Sequence, residues 1–219
     1  MSEIIIKLRG DGTVAVEDSK DGVKGFKEIS PNSLLECINK SLLRGVVSSG
    51  LLPKGCLSFT AHDSGDKYVV IIHSESRADI SYYGTQYPDF PLPKLVFGFS
   101  VTRENRISRC RLGVVGNENN LKPSTSMFLY PFSNVSGTSL CTGNNVLPKC
   151  ESLHTLSSVP HYILSMDNNN DHFKPTNNKQ GFEMRDLLEL LRDKAPEYYY
   201  TDVLIPAKFT LADFINERG

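Results

Sequence analysis

Tyr130-Pro131-Phe132-Ser133-Asn134-Val135-Ser136-Gly137-Thr138-Ser139-Leu140-Cys141-Thr142-Gly143-Asn144 runs near the middle of the chain and places a carboxamide shortly ahead of a cysteine, with a glycine turn between them. A thiolate attacks carbonyl carbon, and the oxyanion that forms needs a donor aimed at it. Asn134 on a rigid turn supplies such a donor without titrating; the plainer alternative is an Asx-turn, in which its side chain bonds nearby backbone. The other cysteines have different surroundings: Cys37 falls on a helical stripe, and Cys56 and Cys110 fall in strands. Cys141 alone sits in a loop rich in Gly, Ser, Thr and Asn, where exposure and backbone donors are expected. A buried cysteine acting as a small apolar residue is the alternative. The pattern points to acyl transfer through a thioester on Cys141.

Outward from this stretch, the chain alternates short apolar runs with turn clusters. Ile4-Ile5-Ile6 precedes the turn dipeptide Asp11-Gly12, and Val14 and Val16 alternate with polar or small residues, which predicts a hairpin. Asp18 to Gly25 reads as a loop. Ser30-Pro31 is a helix start, serine as cap and proline at the first helical position. Leu34, Leu35, Ile38, Leu42 and Val46 then follow at helical spacing and predict one buried stripe ended by Ser48-Ser49-Gly50. Cys56 to Phe59 and Tyr68 to Ile72 bracket the turn Asp63-Ser64-Gly65-Asp66 as an antiparallel pair, the second apolar on both faces and therefore central in its sheet. Ile80 to Tyr83 predicts a short strand.

Tyr87-Pro88-Asp89-Phe90-Pro91-Leu92-Pro93 reads as an extended segment outside any ladder, because its prolines lack donors. Leu95 to Phe99 and Ile107 to Leu112 form a further hairpin around Glu104-Asn105. Residues 114–180 are mostly irregular, with exposed tips at Asn168-Asn169-Asn170-Asp171 and Asn177-Asn178. From Phe182 the pattern is helical until Pro196, and a last short helix is expected near Pro206 or Thr210. The fold class is α+β, a mostly antiparallel sheet with flanking helices. The expected organisation is an N-terminal extension of strands plus one helix over residues 1–52 and a main domain over 53–219, with one merged domain as the alternative.

Composition narrows the function classes. The chain has 219 residues, 24 basic against 25 acidic ones and a formal net charge of −1, so no cationic surplus draws in nucleic acid. The odd count of five cysteines without close pairing argues against a disulfide framework and for a reducing, cytoplasmic setting. Met1-Ser2-Glu3 opens into Ile4 without a basic leader, and no apolar run reaches the ~20 residues of a membrane span, so neither secretion nor membrane insertion is expected. No phosphate loop, nucleotide fingerprint or Ser-His-Asp order is present.

The stretch resembles the active-site segment of ubiquitin-conjugating enzymes, in which a His-Pro-Asn triplet is followed by a short glycine-containing turn and then the catalytic cysteine. Lys122-Pro123 through Leu129-Tyr130, then Asn134-Val135, Cys141 and Gly143, is similar to the prokaryotic family D of that superfamily, which includes PRTRC system protein B. The similarity is clearest over residues 88–148. The proline-rich segment before a strand is a further likeness. Phe132-Ser133 stands where His-Pro would be, and the turn from Asn134 to Cys141 is one residue shorter than usual. The resemblance implies a thioester on Cys141, Asn134 as the matching asparagine, and no cofactor. It also implies as partners a ThiF-like activating enzyme, a ubiquitin-like protein, a JAB-type metalloprotease and a target lysine. Cysteine-lacking members of the superfamily make a non-catalytic adaptor the alternative, and a cysteine hydrolase is a third reading.

Among the five histidines, His62, His73, His154, His161 and His172, none pairs with another or with a cysteine at metal-ligand spacing. His172, in Asn170-Asp171-His172-Phe173, is the candidate base for an attacking amine, since family members carry a histidine after the cysteine; a solvated loop histidine is the simpler alternative. Asp167 and Asp171 in the same loop are candidates for lowering the amine's pKa. Tyr198-Tyr199-Tyr200 reads either as packing against the preceding helix or as a partner surface.

Overall fold

Tyr68-Val69-Val70-Ile71, Val96-Phe97-Gly98-Phe99 and Leu112 to Val115 are apolar on both faces, a pattern that demands cover on each side of a sheet. The structure, a computed structural model, describes residues 3–20, 23–42, 48–74 and 76–217. The chain divides into two units, Met1–Ser48 and Ser49–Gly219.

In the first unit, β1 (Glu3–Leu8), β2 (Val14–Lys20) and β3 (Val23–Ile29) form an antiparallel sheet in that order, followed by α1 (Pro31–Leu42). Asp11 anchors the first turn through its carboxylate, which accepts from the Thr13 amide and hydroxyl. Within the segment expected as a loop, Asp18, Ser19 and Lys20 instead pair with Gly25, Lys24 and Val23, and residues 21–22 lie outside the described residues. Its side chains are mostly polar, with Asp18 and Lys24 exposed, so no apolar pattern marked these strand ends. Ser30 caps α1 as expected, its Oγ accepting from the Ser33 amide at 3.1 Å. The expected buried stripe is not buried in this unit: Leu35 and Ile38 are exposed and Leu34 is half-buried. Val46 lies outside the described residues.

The second unit is built on one antiparallel sheet. Its strands are β4 (Cys56–Ala61), β5 (Lys67–His73), β8 (Leu95–Val101) and β9 (Ile107–Val115), flanked by the short β11 (Val135–Ser136) and β12 (Ser139–Leu140), in the order β11-β12-β9-β8-β5-β4. β5 is interior, as its unbroken apolar run requires. Alternate residues serve alternate layers. Val69, Ile71, Phe97, Phe99, Cys110 and Leu112 join the larger core, while Tyr68, Val70, Val96 and Val115 join the smaller one.

The larger core is closed by a second, three-stranded sheet. It holds β6 (Ser76–Tyr82), β7 (Thr85–Leu92) and β13 (Asp167–Asn168), in the order β13-β6-β7. Two helices add cover, α2 (Val159–Leu164) and α3 (Met184–Leu191), the latter burying Met184, Leu187, Leu188 and Leu191. β10 (Ser126–Phe128) pairs with β9 and with β14 (Pro206–Thr210), extending the same sheet, and α4 (Leu211–Ile215) covers the smaller core. The final helix thus follows a strand, and its start is a capping box between Thr210 and Asp213.

Residues 85–92 overturn the expectation of an unpaired segment. β7 pairs with β6, Tyr87 opposite Ile80, Phe90 opposite Ala78 and Pro91 opposite Arg77. The prolines are tolerated because β7 is the edge strand and Pro88 falls in a register shift between Ala78 and Ile80. The tyrosine run resolves toward packing. Tyr199 donates to the Pro91 carbonyl at 2.8 Å, Tyr200 donates to the Val115 carbonyl at 3.2 Å, and Tyr200 also accepts from the Lys94 amide.

Gly98 is required by the close approach of Tyr68: a Cβ there would lie 2.3 Å from the Tyr68 hydroxyl oxygen. Gly98→Ala should therefore lower the unfolding free energy by about 1–3 kcal/mol through overpacking. Urea denaturation checks this, and an unchanged midpoint would contradict the packing described.

Candidate active site

Gly137-Thr138 closes a two-residue hairpin between β11 and β12, with Ser136 opposite Ser139 and Val135 opposite Leu140. Gly137 sits at φ 60, as the first central position of a type II′ turn demands. The ladder continues one step further, because the Cys141 amide donates to the Asn134 carbonyl at 2.7 Å. Asn134 and Cys141 are therefore directly opposite each other. The turn that is short by one residue is what makes them so, since three residues on either side of the turn's centre separate the pair.

Asn134 occupies the left-handed region at φ 64, a conformation Asn tolerates better than other side chains with a Cβ. Its own amide donates to the Asp171 carbonyl at 2.7 Å, which ties the hairpin to the loop after β13. That loop is fastened in turn: Tyr82 donates to the Asn170 side chain at 2.8 Å, and Asn168 donates to the Ser81 carbonyl at 3.1 Å. His172 follows Asp171 directly, exposed and at φ 60. Asn134, Cys141 and the His172 loop are thus brought to one region. The Asp171 carboxylate accepts from the Asn169 carboxamide at 3.1 Å, and Asp167 accepts from Ser81 at 2.5 Å, so both acids have structural partners.

Phe132 and Ser133 are built into the interior. Phe132 meets Phe90, Tyr130 and Tyr199 edge to face, and Ser133 donates to the Asn168 carboxamide oxygen at 3.1 Å. This latch from the hairpin's approach to β13 joins residues far apart in sequence, and no local pattern announces it. Asn134 and Cys141 border a small cavity of about 30 Å³, lined also by Ser133 and Asn168 and by apolar side chains that include Ile163, Leu164 and Met184. A group the size of water fits there and a substrate or cofactor does not. The Asn134 carboxamide makes no hydrogen bond to protein among the described residues, so its donor is available to a bound group.

Cys141 is exposed, whereas Cys110 and Cys150 are buried and Cys56 is half-buried. Burial pushes the Cys56, Cys110 and Cys150 thiols up, away from the reactive thiolate. Cys37, in the first unit, is the other exposed thiol. The His73 and His161 rings meet edge to face with centroids 5.1 Å apart, a contact their sequence spacing did not suggest. Burial and the neighbouring His161 push the His73 pKa down. Among the described residues no cluster of three His, Cys, Asp or Glu side chains is placed to hold a metal ion. No helix of the described residues is long and apolar enough to cross a membrane.

Alkylation of the native protein with N-ethylmaleimide, followed by digestion and mass spectrometry, should label Cys141 and Cys37 at least about tenfold faster than Cys110 and Cys150. Slow labelling of Cys141 would contradict the exposed placement.

No curated protein and no solved structure matches the chain. The model of the family described as prokaryotic E2 family D matches residues 41–207, a span that holds the whole hairpin, the His172 loop and the cavity. The chain has a ubiquitin-conjugating-like role in general terms, and it belongs to the prokaryotic E2 family D.

Proposed function

We propose that the chain takes the acyl group of a ubiquitin-like protein from an activating enzyme as a thioester on Cys141 and passes it to an amine. The Cys141 thiolate attacks the donor thioester carbonyl, a tetrahedral oxyanion forms, and the donor thiolate leaves. An amine, a target lysine, then attacks the new thioester; the amide forms, Cys141 leaves as thiolate, and the amine's proton passes to a base. In both steps the leaving group is a thiolate, so the site needs positioning, oxyanion stabilisation and, for the second step, a base for the amine's proton. In this reading Asn134 donates to the oxyanion and His172 takes the proton.

The observation that carries the reading is an exposed thiol directly across a hairpin from an unengaged carboxamide, beside a cavity too small for any substrate. The acyl donor therefore approaches from the protein's exterior, as a carrier protein's tail does. A ThiF-like activating enzyme, a ubiquitin-like protein and a JAB-type metalloprotease are the partners that fit.

A second reading, a non-catalytic adaptor of the same fold, draws on Phe132-Ser133 standing in place of His-Pro. Phe132 packs against Phe90 and Ser133 donates to Asn168, so both residues are engaged in the fold. A cysteine hydrolase requires a histidine bonded to the Cys141 sulfur, and no such bond exists among the described residues.

Incubation with the activating enzyme, ATP and the ubiquitin-like protein should give an adduct cleaved by thiol reductant. The adduct should vanish in Cys141→Ala and resist reductant in Cys141→Ser. An adduct that persists unchanged in Cys141→Ala would overturn the assignment, and no adduct on the wild-type chain would favour the adaptor. Asn134→Ala should slow formation of the amide by about 10²-fold while leaving the protein folded, the effect of losing one oxyanion donor.

A further inference from the structure

Arg111 is 0 % exposed, in the middle of β9 on the face of the smaller core. A buried guanidinium is tolerated only when its donors are met, and here they reach two distant parts of the chain. Nε donates to the Thr138 hydroxyl at 2.8 Å, and Nη1 donates to the Phe214 carbonyl at 2.8 Å. The guanidinium also lies over the Phe214 ring, 4.6 Å from its centroid. The Tyr68 hydroxyl donates to that same carbonyl at 3.4 Å.

Thr138 is the second residue of the turn that precedes Cys141. Its neighbours Ser136, Gly137 and Ser139 are exposed, whereas Thr138 is buried. Its carbonyl accepts from the Leu112 amide at 2.8 Å, so β9 grips the turn through backbone and side chain together. The register between β12 and β9 rests on a single opposed pair, Ser139 and Arg111. A two-stranded ribbon this short has little stability of its own. Phe214 belongs to α4, which lies beyond residue 207, where the family match ends. α4 is itself pinned, Leu211 donating to the Thr125 carbonyl and Ala212 to the Pro123 carbonyl, each at 2.9 Å.

We propose that Arg111 is a positioning residue that carries the fixed placement of α4 to the Gly137-Thr138 turn and so holds Cys141 opposite Asn134. The effect on acyl transfer rests on the function proposed above; the mechanical effect on the hairpin does not. Arg111 and Thr138 act as a unit, so removing either loses the whole contribution.

Arg111→Met, Thr138→Val and the double variant test this on the full chain. Amide exchange followed by NMR should show the Cys141 and Leu112 amides exchanging about tenfold faster in each single variant, with the Val69 and Phe97 amides unchanged. At saturating charged activating enzyme, the rate of thioester formation should fall about tenfold with the half-saturating concentration unchanged, and the double variant should be no slower than the slower single one. Wild-type exchange at Cys141, effects that multiply in the double variant, or a uniform rise in exchange across the sheet would overturn the proposal. If Arg111→Met does not fold, Thr138→Val alone decides by the same criteria. A wild-type chain that accepts no acyl group would defeat the proposed function, while the exchange comparison would still judge the tether.

Discussion

The hydrogen bond from the Cys141 amide to the Asn134 carbonyl closes a hairpin too short to stand alone, and the site is arranged by what surrounds that bond. On one flank the Asn134 amide is held by the Asp171 carbonyl. On the other, the turn is gripped by β9 through Leu112 and Arg111. Two short strands thus become a rigid platform because their polar groups are satisfied by elements drawn from across the unit. The thiol at the platform's end stays exposed.

That arrangement divides the chemistry from the fold. The larger core absorbs the residues nearest the site on the interior side, Phe132 among aromatic rings and Ile163 and Leu164 from α2, leaving a space no larger than a water molecule requires. Under the proposed function the acyl group reaches Cys141 from the exposed side of the hairpin. The smaller core does the complementary work: it buries a charged side chain whose donors join the last helix to the turn.

Much of this was legible from residue patterns. Short apolar runs bracketed by turn clusters marked β5, β8 and β9, the two-sided apolar run of β5 marked it as central, and Ser30-Pro31 marked the start of α1. What failed to show was long-range. The prolines of β7 argued against a ladder, but only the sheet order reveals that β7 is an edge where they are harmless. The polar run from Asp18 to Gly25 looked like a loop because the ends of β2 and β3 that it holds carry few apolar side chains. Arg111 read as one of two arginines flanking Cys110, and nothing local distinguished it from the exposed Arg109. Ser133 with Asn168, and Asn134 with Asp171, are contacts between segments more than thirty residues apart, which spacing alone does not encode.

The central claim is that the Cys141 sulfur bears the acyl group. Tandem mass spectrometry of the non-reduced, proteolysed product of the charging reaction tests it most directly. The account predicts that the modifier's C-terminal residue is found in thioester linkage on the peptide containing Cys141. Its discovery on Cys37, on a lysine, or on no peptide of this chain would contradict the account.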